Sequence, residues 1–372
     1  MELQQQTVAH PPCQHKPLPT HAQDLNIALR SLGSMRIADR VYGSMEIDEP
    51  VLLALMDSEP MQRLKGINQA GASKYIMDKP VTRFEHSIGV MLLLRRFSAS
   101  MPEQIAGLLH DVPHTAFSHV IDFVFRNETH EFHERFHEKI ITESEIPLIL
   151  KDHGFDPQEI LHGKFSLLEQ GLPDLCADRL DYTMRDMAAN LGWEQKAKAH
   201  LAGLHVVDRS FWCTTQDAAK ALALDYLEVD KRIWSDPREI AAFQVLADAI
   251  KAAMDAKELS MNDLWLTDDE LMAKLRASKV PEVQCLIGLL TPSFGITILP
   301  ALPIAGADKP SSTYAIPTRV MHTKSKVRWI DPRFGAGKKL SEVDEAFSKL
   351  VQGHREQAED GYFIQITTNR IP

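Results

Sequence analysis

Residues 83–87 read Arg83-Phe84-Glu85-His86-Ser87, His110-Asp111 begins 24 positions after His86, and Asp178 follows within Ala177-Asp178-Arg179-Leu180-Asp181-Tyr182. Together these stretches supply two imidazoles and two carboxylates, a ligand set that suits a divalent cation with positions left for water and substrate. The apolar run 105–109 before His110 is typical of a buried helix end. Burying an ionisable pair there is costly unless something compensates, and a bound metal is the usual compensation. The sequence therefore predicts a metal site.

The helix around Asp178 adds charged and polar side chains to the predicted site. Tyr182 at i+4 and Arg185 at i+7 share a helix face with Asp178. We therefore expect Asp178 to bind the metal while Arg179 or Arg185 neutralises the charge of the substrate.

Histidines cluster after the His-Asp pair. Pro113 is unfavourable inside a helix that continues from His110, so a turn is expected there, which would bring His114 and His119 around the metal. Four histidines and Asp122 lie within 24 residues of Asp111. Jointly they favour a reaction centre, although any one histidine alone would be read as a cap or a supporting hydrogen-bond partner.

Composition limits the classes of function. The 372 residues are 44% hydrophobic and 25% charged, as in an ordinary globular protein. The net charge of −10 argues against binding to duplex nucleic acid, but it is compatible with a small phosphorylated substrate in a local basic pocket. The four cysteines are scattered and no long apolar run is found. We therefore expect reduced thiols, no membrane span and a cytoplasmic location.

Periodicity predicts a mainly α protein in three parts: a mobile tail at 1–25, a helical core at 26–280 and a small α+β module at 281–372. Asp236-Pro237 begins one predicted helix, and a capping box at Thr267 begins another. In the module, residues 326–330 and 362–367 have the composition of strands. The basic pairs 95–96 and 338–339 are interpreted as solvated surface.

These motifs resemble those of the HD superfamily of metal-dependent phosphohydrolases. Two further stretches share the resemblance, Arg36-Ile37-Ala38-Asp39-Arg40-Val41-Tyr42-Gly43 and residues 62–71. The branch in question contains the deoxynucleoside triphosphate triphosphohydrolases. The resemblance covers about residues 36–260. It implies an HD-domain helical core, a C-terminal appendage with an Arg-x-x-Asp-Pro turn at 328–332, and a divalent ion that is Mn, Fe, Co, Ni, Zn or Mg.

By position, the resemblance assigns the metal ligands to His86, His110, Asp111 and Asp178. It assigns acid-base and supporting roles to His114, His119, Asp122, His133 and Glu134, with His130 as the alternative to His133 and His137 as a bystander. It assigns substrate contacts to Gln69, Arg83, Arg179, Tyr182 and Asp186.

The chain departs from the triphosphohydrolase pattern on a later helix. There the family has an Arg for the triphosphate and a Tyr beneath the deoxyribose, whereas alignment places Tyr226 and Trp234 at these two substrate-binding positions. A phenol cannot replace the bidentate phosphate clamp of a guanidinium. The sequence therefore favours an enzyme that cleaves a nucleoside monophosphate, or a modified one, with metal-activated water. HD phosphohydrolases of this kind occur in nucleoside-antibiotic pathways such as that of cordycepin.

Three alternatives are weighed against this prediction. A dNTP triphosphohydrolase that releases tripolyphosphate is the first. An HD di-iron oxygenase is the second, because His133 and His153 have compatible spacing, although the flanking motifs argue the other way. A non-catalytic HD scaffold is the third, and it would have lost ligands that are intact here. The expected partner is a small nucleotide, and the resemblance leaves a homo-oligomer open.

Overall fold

The computed structural model of the protein describes residues 33–127, 132–300, 320–324 and 326–368. The predicted tail at 1–25 and the alternative histidine, His130, lie outside these ranges. Within them the fold is mainly α, as predicted, but it is not all-α because short strands form three small sheets. No helix in these ranges is both long enough and apolar enough to cross a bilayer.

The elements before residue 192 are, in order, β1 (Met35–Asp39), β2 (Gly43–Ile47), α1 (Pro50–Asp57), α2 (Glu59–Arg63), α3 (Arg83–Arg96), α4 (Met101–Leu109), α5 (Val120–Val124), α6 (His137–Thr142), α7 (Ile146–Asp152), α8 (Pro157–His162) and α9 (Ala177–Leu191). Short 3-10 helices lie at Leu64–Gly66, Gly71–Tyr75 and His133–Phe136.

The later elements are α10 (Glu194–Ala202), β3 (Leu204–Val207), β4 (Ser210–Cys213), α11 (Gln216–Val229), a π-helix (Asp230–Trp234), α12 (Pro237–Asp255), a 3-10 helix (Met261–Trp265), α13 (Asp268–Arg276), α14 (Pro281–Leu289), β5 (Phe294–Leu299), β6 (Val320–Thr323), β7 (Arg333–Phe334), β8 (Lys338–Lys339), α15 (Leu340–Val343), α16 (Glu345–Asp360) and β9 (Tyr362–Thr368). Strand order is β1-β2, β3-β4-β7-β8 and β5-β9-β6 in the three sheets.

Helix α3 packs against α4 and α9. The hydroxyl of Thr82 caps it by accepting from the amide of Glu85 at 3.2 Å. The approach of α9 requires Gly89 on α3, since a Cβ at that position would lie 1.8 Å from Nη2 of Arg185. This close contact brings the first ligand stretch and the last one together.

The predicted helix starts at Asp236-Pro237 and Thr267 are confirmed. The Asp236 side chain accepts from the amide of Arg238, and Thr267 and Glu270 form the expected capping box. These caps satisfy amides that would otherwise have no partner within the helix.

The C-terminal part packs onto the helical core. Phe294 and Ile364 share a hydrophobic cluster with α12, and Ile330 and Phe347 belong to the main cluster around α3. The predicted strand at 362–367 is confirmed by β9. The predicted strand at 326–330 is wrong: this stretch has no regular secondary structure. Its long-range contact is with a side chain and not with a neighbouring strand: the carbonyl of Arg328 accepts from His354 Nε2 at 3.1 Å.

Candidate active site

Three predicted ligands converge where α3, α4 and α9 meet. His86 lies in the first turn of α3, His110 directly follows α4, and Asp178 lies in the first turn of α9. One donor atom from each lies within 4.8 Å of the other two. Asp178 Oδ1 is 2.9 Å from His86 Nε2 and 3.6 Å from His110 Nε2. These residues therefore form a candidate metal centre.

The fourth predicted ligand, Asp111, borders the same centre. Its Oδ1 is 3.4 Å from His110 Nε2, and its Oδ2 is 3.8 Å from His86 Nε2. Burial alone would raise the pKa of Asp111, but Arg83, at 2.9 Å from Oδ2, and the neighbouring histidines hold it well below its usual range. The carboxylate is therefore ionised and suited to bind a cation.

The hydrogen bonds of the two ligand histidines fit a metal. His86 Nδ1 lies 2.7 Å from Asp181 Oδ2, and His110 Nδ1 lies 2.7 Å from the carbonyl of Gly107. With Nδ1 donating, Nε2 of a neutral ring presents its lone pair to the site. His110 Nε2 is buried without a hydrogen-bond partner and faces carboxylate oxygens. The lone pair of Nε2 and those of the carboxylate oxygens repel one another unless a cation lies between them. The donor set therefore fits a divalent ion.

The pKa of His86 indicates the same requirement for positive charge. Burial would lower this pKa, but the hydrogen bonds to Asp178 and Asp181 raise it to about 10. The carboxylates around the ring thus stabilise a positive charge at this position, which can be a proton on Nε2 or a metal ion beside it.

A buried charge network holds His86 from behind. Asp181 accepts hydrogen bonds from the Tyr42 hydroxyl at 2.8 Å and from Nε and Nη2 of Arg185, each at 2.9 Å. Arg185 also lies 3.0 Å from Asp39. The expectation that Arg185 faces the substrate is wrong: its side chain is fully buried and does not line the cavity, because carboxylates on the other side attract it.

The sequence did contain a signal for this network. Asp181 is at i+3 from Asp178 and at i−4 from Arg185, so one helix face carries a ligand, its supporting carboxylate and a matching cation. The motif around Tyr42 supplies the remaining partners.

A cavity of about 680 Å³ opens beside the metal centre. The predicted turn after α4 is confirmed: it brings His114 Nε2 to 3.2 Å from Asp111 Oδ1 and places His119 on the cavity wall. His133 stacks on His114 with ring centres 3.9 Å apart. Asp122 does not line the cavity; it is buried and holds His119 Nδ1 at 3.0 Å.

The histidines on this wall are neutral. Burial, followed by the charge of Arg83, keeps the pKa of His114 and of His119 well below the usual range. Burial also lowers the pKa of His133 to about 3 and that of His137 to about 4. His137, interpreted from sequence as a bystander, lines the cavity with the others. Neutral imidazoles can accept or pass on a proton at their free nitrogen.

The predicted substrate contacts divide into two groups. Those that line the cavity, as does Glu134, are Gln69, Arg83, Arg179, Tyr182, Asp186 and Trp234. Tyr226 does not: it is fully buried, and its hydroxyl lies 3.0 Å from that of Tyr182, so the prediction that it contacts substrate is corrected. Both Nη atoms of Arg179 donate to the carbonyls of Gln170 and Asp174, which leaves fewer donors for a ligand.

Sequence reasoning missed several charged residues of the cavity. Lys79 and Glu239 form a buried ion pair at 3.0 Å on its wall. From the C-terminal part, Lys324, Lys326 and Arg328 line it as well. Nothing in the local sequence around these residues indicates such a position, because they approach the ligands only through the tertiary fold.

The sequence is similar to a known domain family and to several known proteins. The HD domain family matches residues 83–186. The chain is 40% identical over 342 residues to the uncharacterized protein YdhJ of Bacillus subtilis, which covers 89% of this chain and 99% of that protein. It is 35% identical over 264 residues to the metal-dependent phosphohydrolase cns2 of Cordyceps militaris, which covers 67% and 75% of the two chains.

More distant similarities agree with these. The chain is 33% identical over 145 residues to the deoxynucleoside triphosphate triphosphohydrolase SAMHD1 of Mus musculus, which covers 32% of this chain and 22% of that protein. A crystal structure of a phosphohydrolase from Bacteroides thetaiotaomicron superposes with a TM-score of 0.61 at 18% identity, over 91% of this chain and all of the other. At that identity the likeness concerns the fold alone.

Proposed function

The chain belongs to the HD-domain metal-dependent phosphohydrolases, and from this premise we propose that it hydrolyses a phosphate monoester of a nucleotide, with a nucleoside monophosphate or a modified one as the favoured substrate. The observation that carries the proposal is the partly buried cluster of two imidazoles and two carboxylates, with His110 Nε2 lacking a hydrogen-bond partner, at the edge of a cavity of about 680 Å³. Cavities of this size commonly enclose ligands as large as a nucleotide.

The protein's own residues would divide the work at the phosphoryl group. His86, His110, Asp111 and Asp178 would hold the divalent ion, which when bound supplies Lewis acidity and lowers the pKa of water. Arg83 borders the cavity beside Asp111 and would neutralise charge on phosphoryl oxygens.

A neutral histidine would accept a proton released by the attacking water and pass it to the leaving oxygen. His119 is the best placed, because it lines the cavity and Asp122 fixes its Nδ1 at 3.0 Å. His114 and the His133-Glu134 pair lie on the same wall and would assist. The carboxylate of Asp122 has a positioning role in this scheme.

Aromatic and polar groups further along the cavity support a nucleoside as the leaving group. Tyr182 and Trp234 meet edge to face with ring centres 4.9 Å apart, and Phe243 adds a third aromatic surface. Asp186 accepts from the indole of Trp234 at 2.7 Å and presents a carboxylate suited to sugar hydroxyls. The guanidinium of Arg179, which backbone carbonyls already engage, favours a monoester over a triphosphate.

A dNTP triphosphohydrolase is the second candidate, supported by the similarity to SAMHD1 and by the additional cations of the cavity. The deciding experiment incubates the protein with Mn, Co, Ni or Mg and a panel of 2′-, 3′- and 5′-monophosphates, dNTPs and NTPs. Orthophosphate from a monophosphate, lost in the Asp178→Ala variant, is the expected result. Tripolyphosphate from dNTPs would replace the proposal with the second candidate, and no turnover of any nucleotide would reject both.

A further inference from the structure

A row of cations from the C-terminal part borders the cavity. Lys324 directly follows β6, and Lys326 and Arg328 come after it at steps of two residues; all three line the cavity. Trp329, next to Arg328, packs against the main hydrophobic cluster. One short segment thus contributes three cations to the cavity wall.

This segment is fastened to the core. Arg328 Nη1 lies 3.9 Å from Oδ1 of the fully buried Asp230, and the carbonyl of Arg328 accepts from His354 Nε2 at 3.1 Å. Just beyond it, the amide of Asp331 donates to the carbonyl of Pro173 at 3.0 Å. The cations thus belong to a positioned wall, held on one side by the start of the π-helix and on the other by the loop that precedes α9.

The charges of this row extend across the cavity. After burial and Arg83, the next effects that lower the pKa of His119 are the charges of Arg328 and Lys326. Burial raises the pKa of Glu169, and Lys326 opposes that rise. Both affected groups line the cavity, so a bound anion would experience the same positive field.

We propose that Lys324, Lys326 and Arg328 form a subsite for a second, non-reacting phosphoryl group of the nucleotide. The inference rests on the proposed function, in which the metal centre takes the phosphoryl group that is cleaved. Ammonium and guanidinium groups bind phosphoryl oxygens through charge-assisted hydrogen bonds. A nucleoside bisphosphate or polyphosphate engages both places, whereas a nucleoside monophosphate engages the metal centre alone.

The test compares matched substrates. We would measure kcat/KM for a nucleoside 3′,5′-bisphosphate and for the corresponding monophosphates, and take the ratio of the two values. The ratio is compared between the wild type and the triple variant Lys324→Gln, Lys326→Gln, Arg328→Gln. We expect the ratio to fall by about 10- to 100-fold, the effect of losing charged hydrogen bonds. Lys349→Gln, a single charge change at an exposed position on α16 away from the cavity, is the control and should leave the ratio unchanged.

Binding gives an independent readout. In calorimetric titrations, inorganic pyrophosphate should bind more weakly to the triple variant than to the wild type. If Arg328 is changed to Lys instead of Gln in that variant, part of the lost affinity should return, because the positive charge is kept without the guanidinium geometry. An equal loss of activity on bisphosphate and monophosphate, or an unchanged ratio in a folded triple variant, would overturn the subsite. Failure to hydrolyse any nucleotide would instead reject the proposed function, which distinguishes the two.

Discussion

Replacing Asp181 by Asn tests whether the buried network behind His86 sets metal affinity. The carboxylate accepts four hydrogen bonds, one from His86 Nδ1, one from Tyr42 and two from Arg185. An amide of the same shape has one oxygen and one NH2 group, and the latter would face donors. The substitution also removes a charge, while Arg185 stays fully buried beside Asp39 and Glu85.

The magnitude follows from these contacts. Removing one partner of a buried ion pair destabilises a protein by about 3–5 kcal/mol. We expect about 3 kcal/mol here, because Asp39 and Glu85 still lie 3.0 Å and 2.8 Å from Arg185. Metal affinity should fall by about 10- to 100-fold, the usual effect of losing the group that orients a ligand histidine.

The assay is calorimetric titration of metal-free protein with Mn²⁺, combined with urea denaturation of each variant. Tyr42→Phe is the matched control: it removes one of the donors to Asp181 but keeps the charge, so it should cost only about 1 kcal/mol and leave Mn²⁺ affinity nearly unchanged. A folded Asp181→Asn protein with wild-type affinity for Mn²⁺ would refute the role assigned to this carboxylate.

Three other changes have definite expected outcomes. His110→Ala should abolish nucleotide hydrolysis and leave the circular dichroism spectrum intact; wild-type turnover would sink the ligand assignment. Gly89→Ala should weaken Mn²⁺ binding and lower the urea midpoint, because a Cβ would lie 1.8 Å from Arg185 Nη2, whereas Gly353→Ala, with open space around it, should be neutral or stabilising by about 0.5–1 kcal/mol. Burial raises the pKa of Glu239 from 4.5 to about 7, so this group by itself should lower the stability by about 3 kcal/mol as pH rises through that window. In urea titrations, the stability of Glu239→Gln relative to the wild type should therefore rise by about 3 kcal/mol between pH 4.5 and about pH 7, and an identical pH dependence of the two proteins would contradict this.

The metal centre could be predicted from sequence because its donors lie in short motifs. His86, His110 and Asp178 lie near helix ends; Thr82 caps the start of α3, and Pro113 follows the end of α4. The turn after His110 was predictable for the same reason, since Pro113 disfavours a continuing helix.

Residues whose surroundings depend on distant segments were predicted poorly. Arg185 shares a helix face with Asp178, but periodicity alone does not reveal that Asp39, far earlier in the chain, attracts its guanidinium away from the cavity. The sequence 326–330 alternates like that of a strand, yet the carbonyl of Arg328 accepts from the side chain of His354 and not from a neighbouring strand. Local sequence patterns indicate which side chains lie on the same face of a helix or strand. The long-range packing of the chain determines which residues that face contacts.

Position 226 shows why substrate class should be judged from the assembled cavity. The phenol there replaces a guanidinium, which by itself argues for a single phosphoryl group. However, Arg328, about a hundred positions later, lines the cavity, and its charge acts on the hydroxyl pKa of both Tyr182 and Tyr226. A positive charge thus reaches this corner of the cavity from a different element. Because phosphate binding depends on where the charge lies and not on which helix carries it, the substitution at 226 alone does not limit the substrate to one phosphoryl group.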